Sequence, residues 1–126
     1  MRMNFPAFIA CAVACALPGA PAASAAAPAA QEILQQGKAV FDQWCMGCHG
    51  PLPGMGRFPP AGSYRLHQRY KDTKPVELEQ RTDLAPESIR VVVRHGLPIM
   101  PPLRKTEVSD AELEAVIAYL TRNKGA

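Results

Sequence analysis

Cys45 and Cys48 stand three positions apart in Cys45-Met46-Gly47-Cys48-His49, with an imidazole directly after the second thiol. In a helical turn such thiols lie close enough to add across the two vinyl groups of one porphyrin, and His49 then offers a nitrogen to the iron; this is the attachment pattern of a c-type haem. Three other chemistries use paired cysteines. A zinc site on Cys45 and Cys48 needs two further ligands, and only His67 and His95 remain, far apart and without paired spacing. A thiol redox pair belongs at the end of a strand in a βαβ unit, and no strand pattern precedes Cys45. A structural disulfide leaves His49 without a role. One covalent haem c is therefore the expected cofactor.

An electron carrier built on such a group requires a second axial ligand opposite His49. Met100 is the expected one. It lies in Gly96-Leu97-Pro98-Ile99-Met100-Pro101-Pro102, where prolines stiffen an extended segment and present the thioether at little entropic cost. The competing role for a methionine is to fill gaps in a core. Met46 lies inside the attachment turn and is expected to face away from the metal. Met55 follows soon after His49 and is expected near the haem edge. His95 closes a helix, where the helix dipole favours a charged imidazole, and His67 reads as a surface residue. The metal ligands are thus expected to be His49 and Met100, the thioethers Cys45 and Cys48, and no side chain reads as a catalytic acid, base or nucleophile.

The elements that must position these groups begin after a leader. Met1 to Ala25 carries one early charge at Arg2, an apolar run to Leu17 and then Ala23-Ser24-Ala25, which reads as a secretory signal peptide cut after Ala25. Pro6, Pro18 and Pro21 interrupt the run that a membrane anchor would need. Ala12-Val13-Ala14 before Cys15 makes a poor lipidation box. A periplasmic location is implied. The leader takes Cys11 and Cys15 with it, so both remaining thiols are consumed by the haem, as suits an oxidising compartment. Residues 26–30 read as a disordered lead-in, and residues 31–126 as one domain. Its length is marginal for a self-sufficient core, and the apolar macrocycle would complete it.

Within that domain Ile33, Gly37, Val40, Phe41 and Trp44 recur at helical spacing and lead into the cysteine motif. Gly37 either permits a close helix crossing or is incidental. Pro51 to Pro60 is too rich in proline and glycine for a helix and reads as an ordered loop. Short helices are expected at Tyr64 to Tyr70 and Val76 to Gln80. A clearer one starts near Pro86 and stops at Gly96, with Ile89, Val92 and Val93 buried; Val91-Val92-Val93 alone is also compatible with a strand. The last helix opens on a capping box of Ser109 and Glu112 and buries Leu113, Val116, Ile117 and Leu120. The fold class is all-α, with helices joined by proline- and glycine-rich loops.

Fourteen basic side chains against eleven acidic ones leave a formal charge of +3, so nucleic acid is not an expected partner. Arg57, Arg65, Arg69, Lys71 and Lys74 gather in the middle of the chain and Glu107, Asp110, Glu112 and Glu114 near its end. Two charged faces and an ordinary solvated surface both fit this distribution.

With Cys45, Cys48, His49 and Met100 in this order, the chain resembles a class I cytochrome c. That resemblance implies one haem c and a first helix crossing the last, with Gly37 and Phe41 against Tyr119 and Leu120. Lys74 to Leu84 and Met100 to Glu107 look more narrowly like the cytochrome subunit of 4-cresol dehydrogenase, also called p-cresol methylhydroxylase. This implies an FAD-containing flavoprotein partner that passes electrons one at a time. A further cytochrome or a blue-copper protein would be the downstream acceptor. The function expected is electron transfer, with a freely diffusing shuttle, a haem sensor and a peroxidase-like enzyme as alternatives. Met55, Arg57, Leu97, Pro98 and Ile99 are the expected contributors to the partner face.

Overall fold

Ser109 follows the turn that Glu107 and Val108 close on the Arg104 carbonyl and starts the most deeply buried of the described helices. In the computed structural model, which describes residues 26–52 and 59–124, the Ser109 hydroxyl accepts from the Glu112 N–H while the Glu112 carboxylate accepts from the Ser109 N–H. Two otherwise orphaned donors are satisfied at once. Five α-helices occur among the described residues: α1 (Ala26–Trp44), α2 (Met46–His49), α3 (Ala61–Tyr70), α4 (Pro86–His95) and α5 (Asp110–Thr121), with a 3-10 turn at Leu78–Gln80. No strand forms among them; Leu97 and Met100 make an isolated bridge. The all-α expectation holds. No described helix is long and apolar enough to cross a membrane.

The leader assigned to residues 1–25 lies outside the described residues, as do Met55 and Arg57 and most of the loop after Leu52. The lead-in expected at residues 26–30 is instead the first part of α1. Alanine is the strongest helix former, and Pro28 falls in the first turn, where its missing N–H removes no helical bond.

Packing is dominated by α1 against α5. Val40 and Phe41 of α1 meet Leu113, Val116, Ile117, Tyr119 and Leu120 in one apolar cluster that also takes in Val93 and Val108. Phe41 is fully buried, which contributes about 1.5–3 kcal/mol, and its ring tilts against Tyr119 at 6.0 Å between centroids. Gly37 is where the helices cross. A Cβ there would lie 2.0 Å from the Ala115 carbonyl oxygen and 2.8 Å from Tyr119 Cβ, so the crossing brings backbone against backbone. Ile33 and Trp44, which share that helical spacing, are exposed. The buried stripe instead runs through Leu34, Gly37, Val40 and Phe41, because the close approach at Gly37 sets which side of α1 meets α5.

Expectations for α4 hold at both ends. Pro86 occupies its first turn, and Gly96 closes it at φ 74° with its N–H donating to the Val92 carbonyl. Val93 is buried and Ile89 packs against the core.

Candidate cofactor site

Helix α2 is a single turn that continues from α1 around Cys45. The N–H groups of Cys48 and His49 both donate to the Cys45 carbonyl, at 3.0 and 2.8 Å, and the Cys45 N–H donates to Phe41. The cysteine motif is therefore hung from the α1–α5 core. Cys45 is partly buried against that core, and burial pushes its thiol up to about 11. Cys48 is exposed, and no disulfide joins the two.

Helix α3 closes against this turn through small side chains. The fully buried Ser63 hydroxyl donates to the Gly50 carbonyl at 2.7 Å. At Gly62 a Cβ would lie 2.7 Å from both the Cys48 carbonyl oxygen and His49 Cε1, and 2.9 Å from His49 Nδ1. Only a glycine leaves room for the imidazole edge. Ala61-Gly62-Ser63 after Pro59-Pro60 is a run of small residues, the available sequence signal for such an approach, whereas periodicity placed the helix start at Tyr64.

His49 faces a cavity of about 610 Å³ whose walls are Cys48 and His49 on one side, α3 from Ala61 to Arg69 on another, and Leu97 to Pro101 on the third. Burial lowers the imidazole pKa, which favours the neutral form that can give a lone pair to a metal. Its Nδ1 is buried with no hydrogen-bond partner among the described residues.

Met100 borders the same cavity. The segment carrying it is a closed turn rather than the extended strap expected: Leu97 N–H donates to the Met100 carbonyl at 2.8 Å and Met100 N–H to the Leu97 carbonyl at 3.0 Å. Gly96 permits the fold-back, since a Cβ there would lie 2.6 Å from the Met100 carbonyl oxygen. Beyond the turn, Leu103 N–H donates to Val93 at 2.8 Å, and Arg94 donates to the Leu103 carbonyl. The Met100 turn is thus tied to α4 on both flanks.

The structure brings Cys48, His49 and Met100 to one cavity. It does not bring there the competitors Met46, which packs against the core, His95, which ends α4, or His67, which lies 3.4 Å from Asp72. An imidazole, a thioether and a thiol around a space walled mostly by apolar side chains, with Arg65 and Arg69 on one side, are the donors of a haem c, so the residues present fit that group. No group of three or more metal-binding His, Cys, Asp or Glu side chains occurs among the described residues.

Residues 32–120 match the family model described as cytochrome C oxidase, cbb3-type, subunit III. The chain belongs to this family. Among curated proteins and solved structures, nothing matches it. A cytochrome c domain of this kind carries a covalently bound haem c and serves in electron transfer. Its helical architecture agrees with that membership.

The acidic side chains singled out in the sequence, and Lys74 among the basic ones, are held by partners within the fold. Each acidic residue near the end of this cytochrome domain is engaged: Glu107 by Arg104, Asp110 by Lys105 and Arg94, Glu114 by Arg90, and Glu112 in the Ser109 cap. In the middle of the chain Asp83 takes Lys74 and both arms of the buried Arg81, whose guanidinium stacks 4.6 Å from the Tyr70 ring. That knot fixes the segment after α3 and holds the Asp83 carboxyl well below the usual carboxylate range, first through Arg81 and then through Lys74. Arg81–Asp83 and Arg104–Glu107 are local pairs, whereas Arg90–Glu114 and Arg94–Asp110 join α4 to α5 and are hidden from sequence grouping.

Proposed function

We propose that this chain is a periplasmic electron carrier that takes electrons one at a time from the flavin of a 4-alkylphenol dehydrogenase and passes them to another cytochrome or a blue-copper protein. The observation that carries the carrier reading is the meeting of His49 and Met100 on one cavity beside Cys48. Cys45 and Cys48 would hold the group through thioethers, with His49 and Met100 as the ligands. When bound, haem c supplies a one-electron couple. The chain's residues supply the rest: a methionine sulfur favours the reduced state over a second imidazole, and apolar walls act in the same direction. Both effects suit an acceptor of flavin electrons.

The flavoprotein partner is supported by the resemblance of Lys74 to Leu84 and Met100 to Glu107 to the 4-cresol dehydrogenase cytochrome. Leu97, Pro98 and Ile99 stand exposed beside the cavity and would form the apolar part of the contact. A second reading, delivery of electrons to a terminal oxidase, is favoured by the oxidase subunit named in the family's description.

Haem-loaded protein immobilised and exposed to periplasmic flavoprotein, then given 4-cresol, separates the two. Reduction of the haem through a retained flavoprotein supports the first. Failure with a panel of 4-alkylphenols, together with rapid oxidation of the reduced protein by oxidase-containing membranes, supports the second. Met100→Ala tests the ligand assignment, since the reduced variant should bind carbon monoxide rapidly while the parent resists it.

A further inference from the structure

Seven arginines lie among the described residues, and most have an evident partner. Arg81, Arg90, Arg94 and Arg104 engage carboxylates, and Arg122 stacks on the Tyr119 ring. Arg65 and Arg69 engage no carboxylate among the described residues. Arg65 donates only to the neutral Gln68, at 3.1 Å, and the Arg69 guanidinium sits 5.7 Å from the Tyr70 ring centroid. These two are also the arginines that border the cavity. Like charges four residues apart on a helix repel. The helix dipole favours Arg69 in the last turn of α3, but it accounts neither for Arg65 nor for the facing of both toward the cavity.

Their position along α3 indicates what they serve. Gly62, against His49 and the Cys48 carbonyl, marks the end of the helix next to the thiols. At 1.5 Å per residue, Arg65 and Arg69 lie about 5 and about 10 Å further along the axis. A porphyrin held through its vinyl groups at the thiol edge carries its two propionate carboxylates on the opposite edge. Guanidinium is the side-chain group that matches a carboxylate through two parallel hydrogen bonds.

We propose that Arg65 and Arg69 form an anion clamp for the carboxylates of the cofactor, and that through it α3 helps set the reduction potential. The proposal rests on the haem reading given above. Neutralising the clamp leaves negative charge uncompensated near the metal, which favours the oxidised state and lowers the potential. For charges about 10 Å apart, one unit changes the redox equilibrium by roughly 2-fold at the dielectric constant of water and roughly 15-fold at an effective constant of about 20.

The test compares haem-loaded parent, Arg65→Gln/Arg69→Gln, Arg65→Lys/Arg69→Lys and Arg104→Gln. The two readouts are equilibrium redox titration and the propionate bending bands of the resonance Raman spectrum. The α-band of covalent haem c and carbon monoxide resistance in the parent report on the underlying reading separately. The glutamine pair removes two charges, so it should shift the equilibrium toward oxidised protein by roughly 4-fold to roughly 200-fold and move the propionate bands. The lysine pair should restore most of the potential but not the bands, because it keeps charge without the planar fork. Arg104→Gln, which removes one arginine charge from outside the cavity, should move neither. Unchanged potential and bands in the glutamine pair would overturn the clamp. So would slower exchange with an acidic redox partner as the sole effect, which would make the pair a docking charge.

Discussion

Gly37→Ala offers a direct test of how the two long helices are held. The new methyl would fall 2.0 Å from the Ala115 carbonyl oxygen, 2.6 Å from its carbon and 2.8 Å from Tyr119 Cβ. An ordinary C···O contact is about 3.3 Å, so α1 and α5 must move apart by about 1.3 Å at the crossing. No flexible side-chain tip can yield instead, because the nearest atoms are main chain. A gap of that size forfeits a large part of the dispersion between neighbouring atoms, and here it opens beside Phe41 and Tyr119, two of the largest core side chains. Overpacking costs about 1–3 kcal/mol, and occasionally more when the surroundings are rigid. Alanine in place of an interior helix glycine returns about 1 kcal/mol. With main-chain atoms on both sides the cost falls at the upper end of that range, so the balance is a loss of about 2 kcal/mol, which lowers Tm by roughly 8–16 °C in a domain of this size. Far-UV circular dichroism of the haem-loaded protein on heating provides the assay. Gly47→Ala is the control, since nothing lies within 4 Å of its Cβ position, and it should melt at or slightly above the parent temperature. If Gly37→Ala melts together with Gly47→Ala, the close-crossing argument is wrong.

Three further substitutions probe the site and its supports. Gly62→Ala should displace the His49 imidazole, against which its methyl would lie 2.7 Å from Cε1; optical and EPR spectra should then show weakened axial ligation, and parent-like spectra would contradict the cradle. Ser109→Ala removes the α5 cap and should cost about 1 kcal/mol, read as a Tm about 4–8 °C lower; a smaller fall in a Glu112→Ala background would confirm that the two residues act as a pair. Asp83 has a folded-state pKa held down by Arg81 and Lys74, so its contribution is fully present above the unfolded carboxylate value of about 4 and is lost as pH falls below it. Asp83→Asn should therefore melt below the parent at pH 7, with the difference closing as the solution is acidified. A difference independent of pH would rule out the ion-pair explanation.

Local chemistry made much of this architecture legible in the sequence. The capping box at Ser109 and Glu112 and the proline and glycine brackets of α4 are short-range devices, and each appears where its residues stand. The stripe of α1 was legible only in part. Helical spacing groups Gly37, Val40 and Phe41 with Ile33 and Trp44, whereas in the fold Leu34 joins them and Ile33 and Trp44 are exposed; the rotation is chosen by the Ala115 backbone, which lies far along the chain from Gly37. The cross-helix ion pairs were hidden for a similar reason: Glu114 meets Arg90, and Asp110 meets Arg94, across the α4–α5 contact, which proximity in sequence does not reveal.

By itself the sequence determined the chemistry available: two thiols and an imidazole at fixed spacing, one methionine between prolines, and a helical chain with too few aromatics to build a large core. Only the tertiary structure decided which of those groups share a cavity. The Met100 turn closes through the paired Leu97–Met100 hydrogen bonds next to Gly96, and Leu103 ties it to Val93. The α3 wall depends on Gly62 and Ser63 seating against α2, which also turns Arg65 and Arg69 toward the cavity. Spacing along a chain fixes how side chains recur on one helix, whereas the approach of two helices is set by backbone atoms from distant segments that must avoid one another.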